Sequence, residues 1–201
     1  MARQSDTRER LLRTAAGLFR RQGYGATGLN QVLAESRAPK GSLYFHFPAG
    51  KEQLAAESVA LGGDELREAI TAVMVVAPDA ATGITGLGEF FARALEESAF
   101  REGCPIATVA LDAAADSEAI RATCDGVYSS WLQGLAGRLR TWGVADEEAE
   151  PLATLVLSSL QGALLLARVR RDVTVIHSVC RQVGELVARA ALADVHPIAP
   201  Q

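Results

Sequence analysis

The side chains in this chain best suited to chemistry form one short run, Pro39-Lys40-Gly41-Ser42-Leu43-Tyr44-Phe45-His46, with Lys51 just beyond it. Proline is tolerated at the first position of a helix, where its missing N–H leaves nothing unsatisfied, so the run predicts a helix beginning at Pro39. Gly41 and Ser42 are small enough to let that helix start approach a DNA groove closely. Lys40 can reach guanine acceptors or a phosphate. Tyr44 and His46 can donate to phosphate oxygens. The whole chain has only two lysines, Lys40 and Lys51, and both fall here.

Other chemistries find no support. There is no G-x-S-x-G elbow, phosphate-binding loop, dinucleotide fingerprint or H-E-x-x-H pair, so no catalytic residue and no cofactor are expected. Asp112 and Asp116 stand four residues apart but lack a partner base. Cys104, Cys124 and Cys180, separated by 20 and 56 residues, form no C-x-x-C pair. That spacing predicts buried, reduced thiols rather than a disulfide framework or a zinc site. His177 has no second histidine or carboxylate cluster at ligand spacing, so it reads as a surface or interface residue and no metal is expected.

The elements needed to present the basic run are helical. Apolar residues recur at spacings of three and four and no convincing strand alternation occurs, which predicts an all-α fold of about nine helices. The first helix starts near Thr7, with Asp6 and Glu9 at capping-box spacing. It buries Leu11, Leu12, Ala15, Leu18 and Phe19 and ends at Gly23. A short second helix follows over residues 28–36, with Thr27 as its N-cap. Then come a tight turn at Arg37 and Ala38, the helix at Pro39, and a long fourth helix over residues 50–76 that Gly62 and Gly63 could bend. Residues 77–88, rich in Pro, Gly, Ala and Thr, read as a connection. Helices are predicted over residues 89–100, 106–113 and 117–142, then from an acidic turn at 143–150 up to Arg170, and from Asp172 onward. The tail over 196–201 is expected to be flexible.

The net charge of −4 conceals a split. Residues 1–50 carry eight basic and three acidic side chains, a net +5, whereas the remainder carries −9. That asymmetry suits a nucleic-acid-facing head on an acidic body. The N-terminus has no apolar secretory segment. Residues 152–169 are apolar over a length at the lower edge of a membrane span, but Thr154, Ser158, Ser159 and Gln161 interrupt them. The expectation is a buried or interfacial helix in a cytoplasmic protein with no membrane partner.

Two short helices joined by a tight turn form a helix-turn-helix, whose second helix lies in the major groove. The stretch PKGSLYFHFPAGKEQL (residues 39–54), preceded by RERLLRTAAGLFRRQGYGATGLNQVLAES (residues 8–36), resembles the DNA-binding head of TetR-family transcriptional regulators. Farther on, GCPIATVALD (residues 103–112) is similar to the lincomycin-repressor-like branch of that family. The resemblance implies that Pro39, Lys40, Gly41 and Ser42 read bases or hold the helix start on the groove. It implies that Thr27, Tyr44, His46 and Lys51 clamp phosphates, and that Phe19, Leu33, Leu43 and Phe47 are core. One position departs from the family pattern: Arg37 stands where glycine is usual. A left-handed residue there costs roughly 1–2 kcal/mol, and a phosphate contact by its charge could offset that.

The resemblance also divides the chain into a DNA-binding domain (1–50), a ligand-binding and dimerisation domain (51–195) and the tail. It implies a homodimer built on helices eight and nine. There Ser158, Ser159, Gly162 and Ala163 are small, and Leu155, Leu160, Leu164 and Val183 add apolar area. An ordinary intrachain core is the alternative for those residues. Phe90, Phe91, Cys104, Tyr128 and Trp131, with Phe100 and Trp142, are the candidates for a mostly apolar effector pocket. The expected protein is a repressor that binds a near-palindromic double-stranded DNA operator and is released by a small apolar or aromatic molecule. The alternative is an architectural or interaction protein that binds DNA without a ligand.

Overall fold

The computed structural model describes residues 2–193, and among them nine helices and no strand. Helix α1 spans Ala2–Ala26. It begins before the predicted Thr7 start, so the capping box does not form. Asp6 and Glu9 lie inside the helix and pair instead with Arg10 and Arg13 one turn on. The expected stop at Gly23 is real as a break, because Gly23 adopts φ 82° and ψ 174° within α1. Only glycine enters that region without penalty, and a Cβ there would also overlap the Asp112 carboxylate.

Helix α2 covers Leu29–Ser36 and α3 covers Ser42–His46. Gly28, not Thr27, is the N-cap of α2, and no side chain caps it. Pro39 to Gly41 precede α3 as a turn rather than forming its first residues; Ser42 N–H donates to the Pro39 carbonyl at 2.9 Å. Helix α4 runs over Gly50–Val76 without interruption at Gly62-Gly63.

Two compact units share the chain. The first comprises residues up to Leu66 together with Glu102–Tyr128, and so does not end at residue 50. In it α1 packs on α2, α3 and α6, the last spanning Pro105–Ala113. Its core includes Leu11, Leu18, Phe19, Leu43, Phe47 and Ile106, all at or near zero exposure. Burial of each such side chain contributes about 1.5–3 kcal/mol, so five-residue α3 is held by Leu43 and Phe47 rather than by its own hydrogen bonds.

The second unit comprises Arg67–Arg101 and the residues from Ser129 on. Here α5 (Ala80–Glu97) packs against α9 (Thr174–Ala193) and more lightly against α8 (Asp146–Arg170). Helix α7 spans Glu118–Thr141 and, like α4, contributes residues to both units.

Two further boundaries differ from expectation. Helix α5 begins at Ala80, inside the predicted connection, because the Asp79 carboxylate caps it by accepting from Thr82 N–H at 2.8 Å. The glycines that argued for a loop serve close packing instead. A Cβ on Gly83 would overlap the Trp142 ring, and one on Gly88 would lie 2.9 Å from Cys180 Cβ. Helix α8 begins at Asp146, because Asp146, Glu147 and Glu148 form its first turn, where carboxylates favour the positive end of the helix dipole. The predicted tail over 196–201 lies outside the described residues.

Candidate nucleic-acid interface

The turn between α2 and α3 is closed by backbone bonds from Arg37 N–H to the Ala34 carbonyl and from Ala38 N–H to the Leu33 carbonyl, both 3.2 Å. Arg37 stands at φ 54°, ψ 33°, the left-handed conformation that glycine adopts more cheaply. The turn therefore keeps the geometry glycine would allow, at the expense of local strain.

Beyond the turn, Pro39, Lys40, Gly41 and Tyr44 are exposed and Ser42 and His46 half-buried. They sit opposite Leu43 and Phe47, which point into the core. Helical geometry puts residues 43 and 47 on one face and leaves 44 and 45 on the other. Phe45, 68% exposed beside Tyr44, is a member of this surface that the residue-type argument passed over, because it carries no polar group.

The charges of the head divide into two sets. Five arginines of α1 are engaged internally: Arg8 with Glu57, Arg10 with Asp6, Arg13 with Glu9 and Glu65, Arg20 with Glu102, and Arg21 with Glu35 and Glu102. Arg37 and Lys40 have no acidic partner among the described residues, so the positive charge free to meet a phosphate concentrates at the turn and the start of α3.

Two expected phosphate clamps are less open than their residue types suggested. The Thr27 side chain is buried, and its hydroxyl donates to the Gly23 carbonyl at 2.7 Å. Lys51 is half-buried with Nζ 4.3 Å over the Tyr24 ring; burial pushes its pKa down, while the Asp112 charge acts in the opposite sense.

The expected pocket residues are divided between the two compact units. Phe90 and Phe91 pair edge to face at 5.1 Å. In the other unit the Tyr128 hydroxyl bonds with Cys104, and burial, the Cys104 charge and that bond push its pKa far up. Trp131 alone of the set lines a described hollow, of about 300 Å³ and partly open to solvent, with Arg67, Ile70, Thr71, Met74 and Leu135. A smaller hollow of about 200 Å³ lies among α5, α8 and α9, lined by Ile84, Leu87, Leu160, Val179, Cys180 and Val183. All three cysteines are buried and none forms a disulfide, and burial drives the Cys180 thiol up to about 11, away from a reactive thiolate.

The dimer candidates also divide. Leu160 (5% exposed), Ala163 (2%) and Leu164 are buried within the chain, and Leu160 shares a hollow with residues of α5 and α9. Leu155 and Gly162 are exposed, Ser159 and Val183 half-buried. The exposed face of α8 runs through Leu155, Ser158, Gly162, Leu165 and Val169, a spacing of three and four. Helix α8 is also long and apolar enough to cross a membrane by length and composition.

A basic, partner-free turn leading into a short helix with exposed Lys40, Gly41 and Tyr44 is the arrangement of a helix-turn-helix DNA-binding protein. Residues 11–57 match the bacterial regulatory proteins of the tetR family, and residues 80–182 match the C-terminal domain of LmrA/YxaF-like transcriptional regulators. The chain belongs to the TetR family of DNA-binding transcriptional regulators. It is 38% identical to the HTH-type transcriptional regulator YxaF of Bacillus subtilis over 94% of this chain and 99% of that protein. It is 35% identical to the HTH-type transcriptional regulator LmrA of the same organism, over 92% and 98%. A TetR transcriptional regulator from Chloroflexus aurantiacus shares the fold, with a TM-score of 0.79 at 24% identity over 94% of this chain and 98% of that one.

Proposed function

We propose that this regulator is a homodimeric repressor that occupies a near-palindromic operator and leaves it when a small apolar or aromatic effector binds. The observation carrying this reading is the unpartnered basic surface of Arg37 and Lys40 beside exposed Gly41 and Tyr44. Lys40 meets guanine acceptors or a phosphate, Pro39, Gly41 and Ser42 seat the helix start on the groove, and Tyr44, His46 and Lys51 hold phosphates. Thr27, with its hydroxyl turned inward to the Gly23 carbonyl, acts by holding the end of α1. The kinship is with the lincomycin-repressor-like branch, supported by the match over residues 80–182. The site of action is the cytoplasm, where the chromosome lies.

The exposed apolar stripe of α8, with Leu186 and Leu192 of α9, supports a second copy as partner. Two heads in one dimer present two α3 helices to half-sites about 34–36 Å apart. The hollow beside Trp131 and Met74 supports the effector class: its walls are largely apolar, with Arg67, Thr71 and Ser130 as polar points that could orient a ligand. An effector that prefers one arrangement of the heads shifts the population toward it.

The test is capture of sheared genomic DNA from the source organism by the purified protein at about 0.15 M salt. A shared near-palindrome beside one or a few genes is the expected result. Random fragments would overturn the operator reading and favour an architectural DNA-binding protein.

A further inference from the structure

Tyr44 and Phe45 are neighbours on α3 and similarly open, at 62% and 68% exposure. Their surroundings differ in chemistry. The Tyr44 ring runs beside the Gly50 backbone, close enough that a Cβ on Gly50 would lie 3.7 Å from Tyr44 Cε1, and its hydroxyl can donate to a phosphate. Phe45 has neither donor nor acceptor. It is braced edge-on by His46, with ring centroids 5.0 Å apart and planes at 81°. Leu43 and Phe47, both fully buried, fix the rotation of α3, so Phe45 cannot turn into the core.

A phenyl ring on a DNA-facing surface can gain only by covering apolar area. On the base edges of the major groove the apolar group is the C5-methyl of thymine. We propose that Phe45 is a specificity-determining residue that packs on a thymine methyl, so that the operator carries a thymine where α3 places this ring. The proposal rests on the DNA-binding role of the head and needs neither the dimer nor the effector. It separates two adjacent aromatics by function: Tyr44 positions the head through the backbone, and Phe45 reads a base.

The experiment uses the duplex recovered by genomic capture, synthesised once with thymine and once with uracil at every thymine position. Uracil pairs identically but lacks the methyl. The wild-type protein should bind the thymine duplex about fourfold more tightly for each methyl covered, the value of one buried carbon. Phe45→Ala should bind both duplexes alike and keep the wild-type salt dependence, since phosphate contacts are untouched. Phe45→Leu should retain part of the preference, and single uracil substitutions should locate the base. Three results would overturn the proposal: a wild type indifferent to uracil, a Phe45→Ala that keeps the thymine preference, or a Phe45→Ala that weakens equally on both duplexes. Capture that yields no shared sequence would remove operator binding, and Phe45 as a base reader with it.

Discussion

The recognition surface of the head and the outer face of α8 both leave large apolar side chains in solvent, but the chemistry around them differs. Tyr44 and Phe45 lie beside unpaired Arg37 and Lys40, on a five-residue helix that has no apolar stripe of its own. Leu155, Leu165 and Val169 stand along a 25-residue helix, with small Ser158 and Gly162 between them and no cation until its last turn. The first surface suits a polyanion with apolar points, and the second suits the second copy proposed above. Exposure alone does not name a partner; the charges and helix length around the exposed groups do.

The sharpest way to break this comparison is to place the same carboxylate on either face of α8. Leu160→Glu buries an unpaired charge in the protomer core and should destabilise the fold by about 3–5 kcal/mol, read from urea unfolding. Leu165→Glu should leave the protomer folded but dissociate the dimer in sedimentation velocity and abolish the concentration dependence of the unfolding midpoint. A dimeric Leu165→Glu would show that the partner surface lies elsewhere.

On the head, Lys40→Ala should lower operator affinity by about 5- to 100-fold, with a salt slope reduced by about one if Lys40 meets a phosphate. Sedimentation should show the oligomer unchanged. Arg37→Gly should relieve the left-handed strain, offset in part by the greater freedom of glycine in the unfolded chain, for a net gain of about 0.5–1 kcal/mol. A variant that is both less stable and unchanged in DNA affinity would refute the idea that Arg37 accepts strain to place its charge.

The smallest effect concerns Asp79. Bonds from Thr82 hold its carboxyl below the ordinary value of 3.8, so its contribution is present above that pH and fades as the pH falls through the lower folded value. Asp79→Ala should melt slightly below the wild type at pH 7, and the gap should narrow at a pH below 3.8. An equal gap at both values would mean that the cap does not act through its charge.

The head was the most legible part of the chain. Its proposed DNA contacts come from residues close together in sequence, whose types map directly onto phosphate and base chemistry. Phe45 escaped because that mapping looks for polar groups, and the burial pattern of α3 was needed to show it exposed. Elsewhere the signals were ambiguous for physical reasons. The glycines of α5 look like loop residues until Trp142 and Cys180 are placed against them. Helix α8 is apolar on two faces, so periodicity could not separate the buried Leu160 from the exposed Leu165. The aromatics chosen for a pocket are bulky apolar residues, which fill a core as readily as they line a hollow.

The discontinuity of the first compact unit bears on how specificity could be transplanted. Because residues 102–128 complete that unit, a fragment cut after α4 would lose α6, leaving bare the side of α1 that α6 covers and Gly25 N–H without the Asp112 carboxylate at 3.3 Å. A chimera that joins this head to a relative's body at residue 50 would put a foreign α6 beneath α1. Exchanging the outward side chains of α3 one at a time alters what is read while leaving that packing alone. Inheritance faces the same arithmetic: substitution on α3 is a short step to a new operator, whereas recombination at a single crossover must repair a broken interior.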